Sequence, residues 1–337
     1  MSAGTRKLPP AVVLFFLAPI VAELLSGSSP PAEFFKPFSL ILLSVLYGGG
    51  AILCRELVRR WGKGWMSLLT LGSAYGILEE GLMVKSFFDP NWVDLGSLGA
   101  YGRALGVNWV WALELTIYHA VFSITIPVLL VELIYPERRA QAWIRPRAAR
   151  WLAALVGLDV LVGFLFLTPY RPPLIPYALS IAVLIGLAVL ARRVEDPIPA
   201  SRAQELPRPH VFWLVGLLAT IGFFIIAWVL PSTPLPVVLT VALAVALVLG
   251  AYRIVRRWVR RMGPMPSDRA LALAAGALSF FILLAPLQEL DRTRQDNTAG
   301  MAVVGLGAAG FLFWLRARLR RGAAAPSAGE ARLVPLG

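Results

Sequence analysis

The chain has 337 residues, 58% of them hydrophobic and 15% charged, with a mean hydropathy of +0.72. That balance excludes an ordinary soluble domain, and apolar runs of about 20 residues recur from end to end, the mark of a polytopic helical membrane protein. A membrane barrel would show short alternating segments instead, and the single cysteine, Cys54, excludes an internal disulfide and a cysteine-based metal site.

Ten apolar segments are predicted to span the membrane, near 10–27, 38–54, 65–84, 108–134, 149–168, 174–191, 211–230, 235–252, 269–289 and 299–315. The expected fold class is all-α, a polytopic transmembrane bundle of about ten spans. With loops on alternate sides, 26 Lys and Arg fall on the side of the N-terminus and six on the other. The positive-inside rule then places both termini in the cytoplasm. The net charge of +13 is thereby read as a topology signal, with the lipid bilayer as the partner and no nucleic acid implied. Arg over Lys and an Ala, Leu and Gly bias point to a GC-rich prokaryotic genome, and so to a multi-pass protein of the inner or plasma membrane.

Along the chain, Glu23 interrupts the first segment, which reads as an uncleaved helix rather than a signal peptide. Arg55 and Glu56 close the second, where an interfacial ion pair is expected. The third carries AYGILEEGLMVK (74–85), with Glu79 and Glu80 side by side. The long loop 86–107, with Asp89, Trp92 and Asp94, reads as a lid or as an interfacial segment. Trp109 and Trp111 fall where an aromatic belt belongs. The fourth segment holds Glu114, Thr116, Tyr118, His119 and Ser123, and Glu132 near its inner end is expected to meet a loop arginine. The fifth holds Asp159. His210 begins the seventh as an interfacial residue, and residues 322–337 have the composition of a disordered tail. Residues 1–150 thus carry the polar groups on four helices, and residues 151–321 read as six helices of apolar scaffold.

At a rise of about 1.5 Å per residue, Glu23, Glu79, Glu80, Glu114, His119 and Asp159 fall in one layer, from the midplane to the outer third. Gly72, Gly76 and Glu80 line one stripe of the third helix, with small residues that admit a neighbouring helix. Thr116, His119 and Ser123 share a stripe of the fourth, and Tyr75 shares a stripe with Glu79. Adjacent carboxylates at low dielectric resist ionising together, and an imidazole adds a second proton site. Such a set activates water, relays a proton or holds a cation. Glu79, Glu80, His119 and Asp159 are the catalytic candidates, supported by Glu23, Glu114, Lys85, Thr116 and Tyr75. No cofactor is implied. No metal is assigned, because zinc normally takes more nitrogen or sulfur ligands than one histidine supplies.

The Glu79-Glu80 pair, a basic residue five positions on and a histidine on the next span together resemble the CAAX-protease and bacteriocin-processing family of intramembrane proteases. The resemblance covers about 80 residues of the 337. It implies that Glu79 or Glu80 activates water, that His119 assists, and that Asp159 fills the last polar position and stabilises an oxyanion. The chain departs from the family pattern in three places. Val84 holds the family's Arg position with Lys85 one residue further, Leu115 replaces the Phe before the histidine, and no second membrane histidine follows. Three readings stand at this point: a membrane-embedded hydrolase, a proton-coupled secondary transporter, and a non-catalytic membrane scaffold.

Overall fold

The computed structural model describes residues 8–197, 207–262 and 265–324. Most of the proposed tail, 325–337, lies outside the described residues; the backbone before it is helical to Ala324. Among the described residues, eight helices are long and apolar enough to cross a membrane: Pro37–Arg60, Trp109–Ile134, Pro146–Phe166, Leu174–Arg193, Pro209–Ser232, Val237–Arg260, Ser267–Leu290 and Met301–Arg321. Two more fill the remaining places, the shorter apolar helix Pro10–Leu24 and the helix 65–83, which carries the two glutamates. In chain order these are the first to tenth helices, at the positions expected. Pro10, Pro37, Pro146 and Pro209 sit in the opening turns of their helices, where a missing N–H costs nothing and the fixed φ is already helical.

The connections alternate between two ends of the bundle. At the arginine-rich end, Asp196 accepts from the N–H groups of Trp65 and Met66 at 3.0 and 2.8 Å. It thereby caps the third helix, whose own Gly64 offers no side chain for the task. At the other end lies the 86–107 loop, with its own small core of Phe87, Phe88, Leu95, Leu98 and Val107 packed on Ile77, Val110 and Trp111. A two-residue hairpin, Arg103–Ala104 with Val107–Asn108, is the described β-structure. Buried Asn108 caps the fourth helix by accepting from Trp111 N–H at 3.0 Å.

The third and fourth helices meet through glycine. A Cβ on Gly72 would lie 2.8 Å from the Cα of Ala120, and one on Gly76 only 3.1 Å from the Cβ of His119. Small residues admit that close approach and bring the glutamates against the histidine.

Several expectations need correction. Arg55 and Glu56 do form the expected ion pair, but it is sealed inside the protein, each residue being 1% exposed. The Arg55 guanidinium contacts Glu56 at 2.9 Å and Glu132 at 3.2 Å, and it donates to the carbonyls of Arg138, Arg139 and Gln141. Glu132 takes Arg55 and Arg59 of the second helix, rather than a loop arginine, as its ion-pair partners. Trp111 is buried, whereas Trp109 is exposed as a belt residue would be.

Candidate functional site

In an α-helix each N–H bonds four residues back. In five stretches of the described residues the bond reaches five back: Ile20–Leu24, Ser44–Gly48, Ile77–Met83, His119–Thr125 and Ile225–Val229. The bonds Leu25 N–H to Ile20 O and Val84 N–H to Glu79 O, 2.8 and 2.9 Å, mark the shift. Such π turns are rare and occur mostly at functional sites. Four of them carry residues of one polar network, Glu23, Tyr47, Glu79 with Glu80, and His119 with Ser123, and the fifth carries Trp228, which bonds Glu114. Carbonyls freed by the widening are taken up by side chains. The Tyr118 and Ser26 hydroxyls both donate to Ala22 O, and Thr125 donates to Ala120 O at 2.6 Å.

The imidazole of His119 lies between the two carboxylates. Its Nε2 is 3.2 Å from Glu80 Oε1. Its Nδ1 is 2.9 Å from Ser123 Oγ and 3.3 Å from Glu79 Oε2. The last contact is out of line for a hydrogen bond, so that buried oxygen has none. Glu79 Oε1 accepts from Tyr47, whose hydroxyl also touches Glu23 Oε1. Ser29 donates to the other oxygen of Glu23 at 2.9 Å. On the far side Ser86 donates to Glu80, and the Trp111 indole donates to Ser86 at 3.0 Å. The aromatic rings of Tyr47, Tyr75 and Tyr118 enclose the imidazole, with centroids 6.0, 5.9 and 5.3 Å away.

The structure thus joins Glu23, Glu79, Glu80 and His119 of the sequence-derived set. Tyr75 belongs at the same place, packed against the imidazole with its hydroxyl buried and unbonded. Thr116 lies where the fourth helix touches Gly76, and no hydrogen bond ties its side chain to the network among the described residues. Glu114 stands apart: Trp228 donates to its Oε1 at 3.1 Å, and its Oε2 is buried without a partner. Asp159 is half-buried in the fifth helix, with Oδ2 likewise unpartnered. No hydrogen bond or ion pair joins it to Glu79, Glu80 or His119 among the described residues.

Lys85 neither pairs with Glu80 nor reaches solvent. Fully buried, it donates from Nζ to the carbonyls of Phe164 and Thr168 at 2.7 and 3.0 Å, closing the C-terminal end of the fifth helix. Its backbone is left-handed, at φ 64°, which turns the chain so that Ser86 folds back onto Glu80.

Tyr47, Ser29, Ser86 and Trp111 belong to the network and were missed from sequence. Tyr47 stands in LYGGG, where a lone tyrosine beside glycines gives no sign of two acids arriving from other helices. Glu79, Glu80 and His119 each present one ligand atom, all within 4.8 Å of one another. They are therefore the residues that could share a divalent ion, with one imidazole and two carboxylates as donors.

The chain belongs to an uncharacterized membrane protein family, whose model matches residues 12–328. No curated protein and no solved structure matches it. The matched range runs from the first helix to the tenth, so the network above lies within it.

Proposed function

We propose that this protein is an intramembrane hydrolase in which Glu79, Glu80 and His119 activate water. The reading rests on one observation: a single buried imidazole has a different carboxylate at each ring nitrogen, 3.3 and 3.2 Å away. Glu80 is the more accessible of the two, its side chain 12% exposed against 6% for Glu79. In this reading Glu80 takes a proton from water as the oxygen attacks a carbonyl carbon. His119 accepts that proton at Nε2 and returns it to the leaving group when the carbon–heteroatom bond breaks. The unbonded Tyr75 hydroxyl donates to the oxyanion. Asp159, implied for that part by the family resemblance, is unconnected to the group and is left out of it.

The substrate class is an amide or ester bond in a chain or lipid lying in the bilayer. The polar network runs from the site toward the 86–107 end through Ser29 and Ser86. Toward the arginine-rich end it meets apolar packing by Ile52, Leu68, Leu71 and Ile124. A carrier needs polar access from both ends, so this asymmetry favours hydrolysis over transport. With the arginine-rich end cytoplasmic, the site lies toward the outer side of the cell's inner or plasma membrane.

The test is cleavage of a membrane-embedded peptide and ester library by purified protein in proteoliposomes. Glu80→Gln and His119→Ala should each lose about 100-fold or more in rate per folded molecule. Equal product formation by the native chain and both variants would end the reading.

A further inference from the structure

Tyr47 bridges two acids that belong to different helices. Its hydroxyl touches Glu23 Oε1 of the first helix at 2.5 Å and Glu79 Oε1 of the third. A phenol has one proton to give. Two carboxylate contacts on one hydroxyl oxygen therefore need a second proton, supplied by one of the two carboxyls. The bridge then has two equivalent states. In one, Glu79 holds the second proton and donates to Tyr47, which donates to Glu23. In the other, Glu23 holds it and donates to Tyr47, which donates to Glu79. The two interconvert when both protons shift along their hydrogen bonds, with no side chain rotating and no charge left on the tyrosine.

The bridge is built into the fold. Gly48, next to Tyr47, lies so close to the first helix that a Cβ would fall 2.1 Å from Phe15 O. The Tyr118 and Ser26 bonds to Ala22 hold the π turn that presents Glu23. The titratable groups facing Tyr47 are Glu23 from the first helix, Glu79 and Tyr75 from the third and His119 from the fourth. Glu23 then bonds Ser29, in a turn whose Ser28 is exposed.

We infer that Glu23 and Tyr47 are a proton relay joining the Glu79–His119–Glu80 site to the surface at the 86–107 end. The inference rests on the hydrolase reading for its purpose: an acid product formed in a low-dielectric site must give up a proton before it leaves. The product acid hands that proton to the Glu79 carboxylate; Glu79 passes a proton from Oε1 to Tyr47 as Tyr47 passes its own to Glu23, which releases one to water at the Ser26–Ser29 turn. Both groups are positioning residues that act through Glu79.

Infrared difference spectroscopy of the full chain in nanodiscs, in H2O and D2O, tests the relay without any substrate. The carboxyl band of Glu79 is the one missing in Glu79→Gln. Glu23→Gln should move that band although Glu23 makes no contact with Glu79, and in a Tyr47→Phe background it should no longer do so. An unmoved Glu79 band in Glu23→Gln overturns the relay. So does a shift of equal size with Tyr47→Phe in place, because the coupling would then bypass the hydroxyl. Glu23→Asp, which keeps the acid, serves if Glu23→Gln fails to fold, and should displace the band less than removal of Tyr47. No displacement in that variant also overturns the relay. Failure of the hydrolase reading shows separately, as absent cleavage with the spectral coupling intact.

Discussion

Arg55 of the second helix and Glu132 of the fourth form an ion pair of 3.2 Å in which both side chains are almost wholly sealed from solvent. Arg59, with its side chain 26% exposed, meets the same carboxylate at 2.7 Å. Burial decides what each contact is worth. Removing one member of a sealed pair strands a charge, at about 3–5 kcal/mol, whereas an accessible pair contributes about 0–1 kcal/mol. Glu132→Ala should therefore lower thermal stability in detergent severely, and Arg59→Ala only slightly. Equal losses would mean that the sealed guanidinium draws its support from the three loop carbonyls instead.

Lys85 stands near the site in sequence and serves another helix in space. Lys85→Ala leaves the Phe164 and Thr168 carbonyls without their donor, a loss of about 1–3 kcal/mol. Cleavage by the folded fraction should be unchanged, because Glu80 takes its hydrogen bond from Ser86. A fall in rate at unchanged stability would instead place the ammonium in the chemistry, as the family resemblance suggests.

The helical class was legible because hydropathy marks the long apolar helices, and the meeting of Glu23, Glu79, Glu80 and His119 agrees with the layer that helix rise gives them. Facing was less so. A wheel at 3.6 residues per turn sets Glu79 and Glu80 about 100° apart, yet both reach one imidazole. The π turn Ile77–Met83 narrows the angle between successive residues, and no periodicity announces it. Asp159, expected at the same depth, makes no bond to the site among the described residues, since depth says nothing about which helices adjoin. Trp228 could not be paired with Glu114 from sequence, because 114 residues separate them.

At the 86–107 end, Arg294 holds Asp296 at 2.5 Å and donates to Gly27 O at 2.8 Å. The hydrogen bond from Arg294 keeps the Asp296 carboxyl below its ordinary range. A depressed carboxyl contributes stability above its unfolded pKa, and that contribution is lost as pH falls through the lower folded value. Hydrogen-exchange protection of residues 291–299, taken relative to the intrinsic rate at each pH, should thus be high at pH 6 and fall below about pH 4. Asp296→Asn should show low protection at both pH values. A native profile flat from pH 6 to 3 would exclude the pair as the anchor of this loop.

The imidazole nitrogens already face protein groups, Nδ1 toward Ser123 and Nε2 toward Glu80. Water activation by the carboxylates needs no Lewis acid, so dialysis against a chelator should leave cleavage intact. Loss on chelation, with recovery on adding manganese or zinc, would reassign Glu79, Glu80 and His119 as ligands of one ion.

Tyr75 separates a structural hydroxyl from a chemical one. Its ring is packed against His119 and Tyr47, and Gly50 makes room for it: a Cβ there would sit 2.3 Å from the ring. Its hydroxyl is buried and makes no hydrogen bond among the described residues. Leaving a buried donor unsatisfied costs about 1–3 kcal/mol, so Tyr75→Phe should hold or raise thermal stability. If that hydroxyl meets the oxyanion only as the carbonyl turns tetrahedral, its loss should lower kcat about 100- to 1,000-fold with KM little changed. The two signs must appear together. A stabilised variant that still cleaves at the native rate would leave the tyrosine as packing and remove the oxyanion donor from the mechanism.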